Sequence, residues 1–464
     1  MSFDHQHRLL GEISKDFAIK GLLQGNMRKL AEDILRETGR QGERACALRP
    51  LMVIWLVIAM ALDRKKSIAN VFLQLLYWVR QLVPALGRRV VTPEALYRAR
   101  ERLGARPLKR LHRETVLQCL APVEPTFHNL RQFALDGSEW TMPDTPANEA
   151  VFGRHRGDRG DAAYPQARSM FLTAVATHQI RDCCIMPLAC SEHAAVPYLL
   201  KRNLGSGDLL LVDRGIVSFA LLFECQNRDI QYLVRLSAVW KPITVRQLGP
   251  GDRLVEIKAC GAARSKLRGE ARNAKIVARL LEFHVGDGKL VRILTSLVDP
   301  EMYSAHELAL EYHRRWECEL AFKELKTELL SVADGKQKTN FRSKSPIGVI
   351  QEAWGAVLAH TLVRQMMVEG AAEADVPVLE ISFVDSLEVI KLMLPDIQVA
   401  TGKNLSGLRR QLISDIGLCQ IDRPRRPRMC ARKVKRKMSN YGLKGKHDGE
   451  QILLLKIAFV EATP

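Results

Sequence analysis

The sequence has no CxxC pair, no long hydrophobic run and a shortage of acidic residues, and each lack closes off a class of function. Its ten cysteines are scattered, with Cys183 and Cys184 adjacent on a stretch that reads as a strand. Zinc sites and disulfide frameworks need paired or regularly spaced thiols, so buried, reduced cysteines in a cytoplasmic protein are expected. The longest apolar run, Leu51 to Leu62, is too short to span a bilayer and is followed at once by Asp63, Arg64, Lys65 and Lys66. It reads as a buried helix. The opening residues MSFDHQHRLL show neither the apolar core nor the cleavage site of a signal peptide. Acidic residues number 51 against 70 Lys and Arg, a formal net charge of +19. A compact chain repels itself at that charge unless a polyanion is the partner. Nucleic acid is the first candidate; an anionic membrane surface is the second, and the short apolar run speaks against it.

What is present is globular. The 464 residues are 47% apolar, enough for two to four domains. The first segment, to about Val123, reads as helices. Leu51 to Leu62 and Val71 to Val79 would supply a small core, and Thr92-Pro93-Glu94 is a helix start, an N-cap hydroxyl followed by proline. Arg98, Arg100, Arg102, Arg106, Lys109 and Arg110 follow. Charges of one sign on a helix point to a DNA-facing surface, although a solvated charged face would look the same.

From Gln132 the pattern turns to strands. Phe133-Ala134-Leu135 leads into Asp136-Gly137-Ser138. Met170 to Ala176 and Cys183 to Cys190 flank the polar His178-Gln179 and read as a β-hairpin. Leu209 to Val212, apolar throughout, fits a strand buried on both faces and runs into Asp213-Arg214-Gly215. Ile230 to Leu236 is a further strand. Between Trp240 and Val298, alternating segments separated by glycine-rich turns read as a mainly β insertion. Ser304 and Glu307 have capping-box spacing, so one long helix is expected from Ala305 to about Leu330, with more helix from Pro346 to Val368. After Ile421 come Arg423, Arg425, Arg426, Arg428, Arg432, Lys433, Lys435, Arg436 and Lys437, with no acidic residue among them.

Two aspartates, Asp136 and Asp213, thus end two apolar strands, at the edge where ligands collect in α/β sheets. Neighbouring carboxylates repel unless a cation sits between them, but aspartate also follows strands simply as a turn residue. The long helix adds Tyr312, Glu319 and Lys326 at intervals of seven residues, close to two turns, with Arg315 beside them. An aromatic ring, a guanidinium, a carboxylate and an ammonium would then share one stripe.

The string Tyr312-x2-Arg315-x3-Glu319-x6-Lys326 resembles the signature of the DDE transposases of bacterial insertion sequences, in the insertion sequence 4 branch. DGS at Asp136 is similar to the first motif of that family. DLLLVDRG, ending on Asp213, is similar to the second, with Ile216 where an aromatic is more usual. YHRRWECELAFKELK is similar to the third, and RARERLGARPLKRL and KRKMSNYGLKGK resemble its N- and C-terminal regions. The resemblance covers most of the chain. It implies an α/β protein: a ribonuclease-H-like catalytic core with a β-rich insertion, a helical N-terminal DNA-binding domain and a basic C-terminal region. The expected boundaries are 1–123 for the N-terminal domain, 124–375 for the catalytic domain with its insertion at about 240–298, and 376–464 for the C-terminal region.

The resemblance also assigns roles. Asp136, Asp213 and Glu319 would be the catalytic, metal-binding triad, and Tyr312, Arg315 and Lys326 would hold the DNA end, with Arg98 and Arg102 contacting DNA from the N-terminal domain. Hard carboxylate ligands suit Mg²⁺, with Mn²⁺ as a substitute. The implied activity is cut-and-paste transposition on double-stranded DNA, at inverted-repeat ends and target, by a homodimer at the bacterial nucleoid. In this branch cleavage commonly passes through a hairpin at the DNA end. An extruded base would then rest on Trp316, whose other reading is core packing amid Leu308, Leu320 and Leu325. Three other functions compete: a related nuclease of the same fold, which need not carry the Tyr-Arg-Lys stripe; a transposase-derived DNA-binding protein that no longer cuts; and a glycosidase with paired carboxylates, which the basic charge disfavours.

Overall fold

Apolar runs closed off by proline and capping hydroxyls set the first helices: α1 (Met27–Glu37), α2 (Pro50–Leu62), α3 (Ile68–Leu82), α4 (Pro93–Leu103) and α5 (Arg106–Gln118). The Thr92 hydroxyl caps α4 by accepting from the Ala95 amide at 3.2 Å, and Pro93 opens the helix. Strand β1 (Arg131–Thr141), α6 (Pro146–Phe152), β2 (Gln166–Ala174), β3 (Ile180–Pro187), α7 (Val196–Asn203) and β4 (Asp208–Val212) follow. Next come α8 (Phe219–Asn227), β5 (Gln231–Arg235), β6 (Ile243–Gly249), β7 (Asp252–Lys258), β8 (Lys275–Val285), β9 (Lys289–Thr295) and α9 (Ala305–His313). The rest is helical, α10 (Trp316–Lys323), α11 (Pro346–Ala374), α12 (Phe383–Val399) and α13 (Gly402–Leu418), apart from a short strand β10 (Ile457–Phe459). This computed structural model describes residues 27–42, 48–82, 91–156, 161–259, 261–285, 289–330, 339–400, 402–421 and 457–459. The basic stretch at 423–437 lies outside the described residues. Among the described residues no helix is long and apolar enough to cross a membrane.

The described chain gathers into two compact units. One holds the described residues up to Leu210, Arg228–Ile230 and the described residues of Arg315–Gln420; the other holds Leu211–Asn227, the described residues of Gln231–Arg314, Ile421 and residues 457–459. In the first, the strands run in the order β3-β2-β1-β4, of which β4 contributes Asp208–Leu210. The expected β-hairpin is β2 and β3, paired antiparallel, and β1 pairs antiparallel with β2 so that Asp136 stands opposite Phe171. In the second, the order is β5-β9-β8-β7-β6, with β10 against β8. The four strands β6 to β9 are the expected β-rich insertion.

Helix α2 is apolar on every side, with Leu51 to Ile58 all buried, and such a helix needs cover all round. It packs on α11, where Gly355 allows close approach: a Cβ there would lie 2.7 Å from the Val57 carbonyl. Arg100 completes the joint. Its guanidinium donates to Gln351 Oε1 at 3.1 Å and to Ser343 Oγ and the Gly348 carbonyl, both at 2.9 Å. Arg100 therefore faces inward, 5% exposed, whereas Arg98, Arg102 and Arg106 are exposed. The row expected to face DNA divides because α4 buries every third or fourth residue, Leu96, Ala99, Arg100 and Leu103.

Candidate active site

Strand β1 carries the first aspartate. Gln132 to Leu135 are buried, and from Asp136 to Glu139 the strand is half-buried. Asp136 does not end the strand, as expected from the sequence. The ladder continues through Gly137, Ser138, Glu139 and Trp140 to Thr141, each opposed by a β2 residue, so a pair of turn-forming residues is held extended by its partner strand. Asp136 marks instead the point where the strand leaves the core. Its Oδ1 accepts from the Gly137 amide at 2.7 Å.

The expected single helix from Ala305 to Leu330 is three segments. Its start is as expected, with Ser304 Oγ accepting from the Glu307 amide at 3.2 Å. It then breaks at Arg314 and Arg315, where bonding tightens to three-residue steps: Arg314 N to Glu311 O at 3.0 Å and Cys318 N to Arg315 O at 3.1 Å. Beyond α10 the segment Glu324–Leu329 widens to a π-helix, a form frequent at functional sites. The stripe drawn on an ideal helix is therefore not realised as such.

What the break accomplishes is visible at Arg315. This side chain is 6% exposed. It reaches Asp136 Oδ2 with Nη1 at 3.3 Å and Glu319 Oε1 with Nη2 at 3.0 Å. A strand carboxylate and a helix carboxylate thus converge on one guanidinium. Glu319 keeps 41% of its side chain exposed. The Arg315 guanidinium lies 5.2 Å from the centre of the Trp316 ring. Trp316 itself is 52% exposed, which corrects the core-packing reading: its neighbours Cys318 and Ala321 turn inward, and the indole turns out. Burial, with Asp136 adding to it, pushes the Cys318 thiol well up.

Lys326 is half-buried. Its ammonium donates to the Glu139 carbonyl and lies 4.9 Å from the Trp140 ring centre. Burial pulls its pKa down to about 8, against the opposing pull of Glu139. The Glu139 carboxylate, which sequence reading passed over, takes His155 at 2.9 Å and Arg168 at 3.3 Å. In the other unit, Asp213 is half-exposed directly after the fully buried β4, and the Tyr312 hydroxyl donates to the Val212 carbonyl at 3.3 Å.

A second cluster was also missed. Glu324, 12% exposed at its side chain, accepts from Arg364 Nε at 2.9 Å and from Arg364 Nη2, and lies 3.1 Å from His360 Nε2 and 2.9 Å from His178 Nδ1. Burial opposes its ionisation, but Arg364, with His178 and His360, outweighs burial and holds its carboxyl well below the usual range. Glu324 lies within the AFKELK string; His178 is a turn residue with no periodic signal at all.

Among the described residues no three His, Cys, Asp or Glu side chains stand together as a ready-made metal cluster. The donors that do converge, Asp136 and Glu319, are hard oxygen ligands of the kind a divalent cation takes.

The chain is similar to known transposases. The family profile for the insertion element 4 transposase N-terminal region matches residues 19–113, and that for the transposase DDE domain matches residues 123–362. The transposase InsG of insertion sequence element IS4 from Escherichia coli K12 is 30% identical over 419 residues, 89% of this chain and 91% of that one. The putative transposase InsZ of the same organism is 25% identical over 208 residues, covering 43% and 65% of the two chains. Among solved structures, a piggyBac transposase synaptic complex with hairpin DNA aligns over 88% of this chain and 85% of that one, with a TM-score of 0.42 and 11% identity. The mixed α/β architecture is that of a ribonuclease-H-like core with helices ahead of it, and the chain belongs to the DDE transposases of the insertion sequence 4 family.

Proposed function

We propose that this transposase cuts its own element out of DNA at terminal inverted repeats and joins the freed 3′-hydroxyls to a target. The observation that carries this reading is the convergence of Asp136 and Glu319 on Arg315, with the exposed Trp316 ring beside them. Asp136, Asp213 and Glu319 would hold the divalent metal that a DDE domain implies, Mg²⁺ with Mn²⁺ as a substitute. Such ions, when bound, activate the attacking water or 3′-hydroxyl and stabilise the leaving oxygen.

The chain's own residues do the rest. Arg315 neutralises two carboxylates whose mutual repulsion would otherwise spread them, and its planar fork also suits a phosphate of the DNA end. Tyr312, anchored on the carbonyl before Asp213, places a ring and a hydroxyl where they can bear on the backbone of that end. Lys326 adds a cation held by Trp140 and the Glu139 carbonyl. Arg98 and Arg102, both exposed on α4, contact phosphates farther along the repeat. A homodimer would bring two ends together.

The test is direct. The protein is incubated with Mg²⁺ and a labelled duplex taken from the DNA that borders its coding sequence, and the products are mapped. Cleavage at the element terminus supports the reading. Random nicking would make the protein a nuclease of the same fold, and binding without cutting would make it a DNA-binding derivative.

A further inference from the structure

The site's helix is short and interrupted. Helix α10 spans Trp316–Lys323, between the break at Arg314 and Arg315 and the π-helix at Glu324. Isolated helices of fewer than about 12–15 residues are marginal in water, so the setting of α10, and with it of Glu319, depends on what grips it from outside. A ligand-bearing side chain has to be held to within about 0.5 Å.

His178 supplies such a grip. Its ring is buried, the residue being 3% exposed, and its two nitrogens reach two carboxylates of the segment. Nε2 lies 2.8 Å from Glu317 Oε2; Nδ1 lies 2.9 Å from Glu324 Oε1 and 2.7 Å from Arg364 Nη2, which itself donates to Glu324. Glu317 and Glu324 are seven residues apart, about two turns, and they bracket Glu319. Glu324 is anchored in turn by Arg364 and His360 of α11. The backbone at His178 is itself informative. In the β2–β3 turn it adopts φ +57, a left-handed conformation that glycine adopts without cost and a larger residue does not. The turn alone would be better served by glycine.

We infer that His178 is a positioning residue: it clasps the helix at Glu317 and Glu324 and so fixes Glu319 opposite Asp136. The inference rests on the proposed role of Glu319. It is separable from mere stability, because His178→Gly relaxes the turn while removing the clasp.

Two measurements on the full chain test it. The first, amide hydrogen exchange without DNA or metal, should show residues 316–330 exchanging at least about tenfold faster in His178→Gly, with α11 unchanged. The second, single-turnover cleavage of the bordering-DNA duplex, should fall about ten- to a hundredfold, the range found when an outer partner of a metal ligand is lost. End binding should hold, the melting temperature should move by no more than a few degrees, and added imidazole should restore part of the rate. Unchanged exchange in residues 316–330 overturns the clasp. Faster exchange throughout the unit with an early melt also overturns it, since His178 would then anchor the fold at large. Cleavage equal to wild type overturns the link to Glu319. If wild type itself does not cleave, the proposed function fails and exchange alone decides the clasp.

Discussion

Glu319 and Glu324 are five residues apart and live in opposite surroundings. Glu319 is bound by Arg315 and leaves 41% of its side chain to solvent. Glu324 is closed in by Arg364, His178 and His360, with 12% of its side chain exposed. Both belong to buried arginine–carboxylate groups, so charge pairing alone does not mark a site. The difference lies in spare coordination. A carboxylate with free oxygen lone pairs at the surface can take a cation or a substrate, and one with every acceptor position filled can only hold structure. The contrast makes opposite forecasts for activity and for stability.

The largest expected effect is on chemistry at the open group. Asp136→Asn, Asp213→Asn and Glu319→Gln should each reduce cleavage below about one hundredth of wild type, beyond the 10–100-fold cost of losing an outer partner of a ligand. End binding should survive, because a metal ligand is lost and no phosphate contact. A position whose variant keeps near-normal cutting leaves the triad.

The closed group should respond the other way. Glu324→Gln takes the charge from a buried carboxylate facing Arg364, and breaking such a pair costs about 3–5 kcal/mol. A chemical denaturation series on Glu324→Gln and Glu319→Gln should show the first much less stable and the second close to wild type. Equal losses would erase the distinction between the two groups.

How much of this contrast could be read from the sequence depends on the range of the contacts. Local signals were legible. The caps at Thr92 and Ser304, the buried run of α2, the β2–β3 hairpin and the β-rich insertion each lie within a dozen or so residues of the signal that reveals them. The pairing of Asp136 with Glu319 was legible only through resemblance to a family, since the two are 183 residues apart. What failed depended on tertiary partners. Nothing between Tyr312 and Leu330 breaks a helix, there being no glycine or proline, yet the helix is interrupted next to Arg315, which turns to Asp136, and widens where Glu324 turns to Arg364. Arg100 looks like its exposed neighbours and differs only in meeting Gln351 and Ser343. His178 meets its partners 139 and 146 residues away.

Trp316 should show a smaller effect, confined to one step. Its ring is exposed beside Arg315, in a place where an unstacked base could rest, and stacking of a base on an aromatic side chain contributes about 1–3 kcal/mol. If the DNA end closes into a hairpin, Trp316→Ala should still nick but should accumulate nicked DNA. A time course on end-labelled duplex reads this out. A variant that loses nicking and melts early would return Trp316 to a packing role.

Smaller still are the effects expected of the phosphate contacts proposed for α4. Arg98→Ala and Arg102→Ala should each weaken end binding and lower its salt dependence by about one unit of log-log slope. Arg100→Ala should instead lower stability, because it strips a buried joint between α4 and α11. Identical salt slopes for wild type and both surface variants would move the DNA contact elsewhere.

Lys326 stands between the two kinds of group, and its response to pH sharpens the comparison. Its ammonium is half-buried against Trp140 and the Glu139 carbonyl, and its pKa is pulled down to about 8 by burial. A lowered lysine pKa means the cation is present below pH 8 and is lost as pH rises through it. If this cation meets a phosphate of the DNA end, binding at pH 9 must either forgo that contact or take up a proton. Both weaken wild type relative to pH 7, and forgoing the contact also reduces its salt slope by about 0.9, the share of one phosphate. Lys326→Arg keeps its charge at either pH and should bind with the same salt slope at both. The measurement is a salt titration of end binding at pH 7 and pH 9 for the two proteins. A wild type whose affinity and slope both change with pH no more than those of Lys326→Arg would place Lys326 with Glu324, as a structural cation closed in by its neighbours.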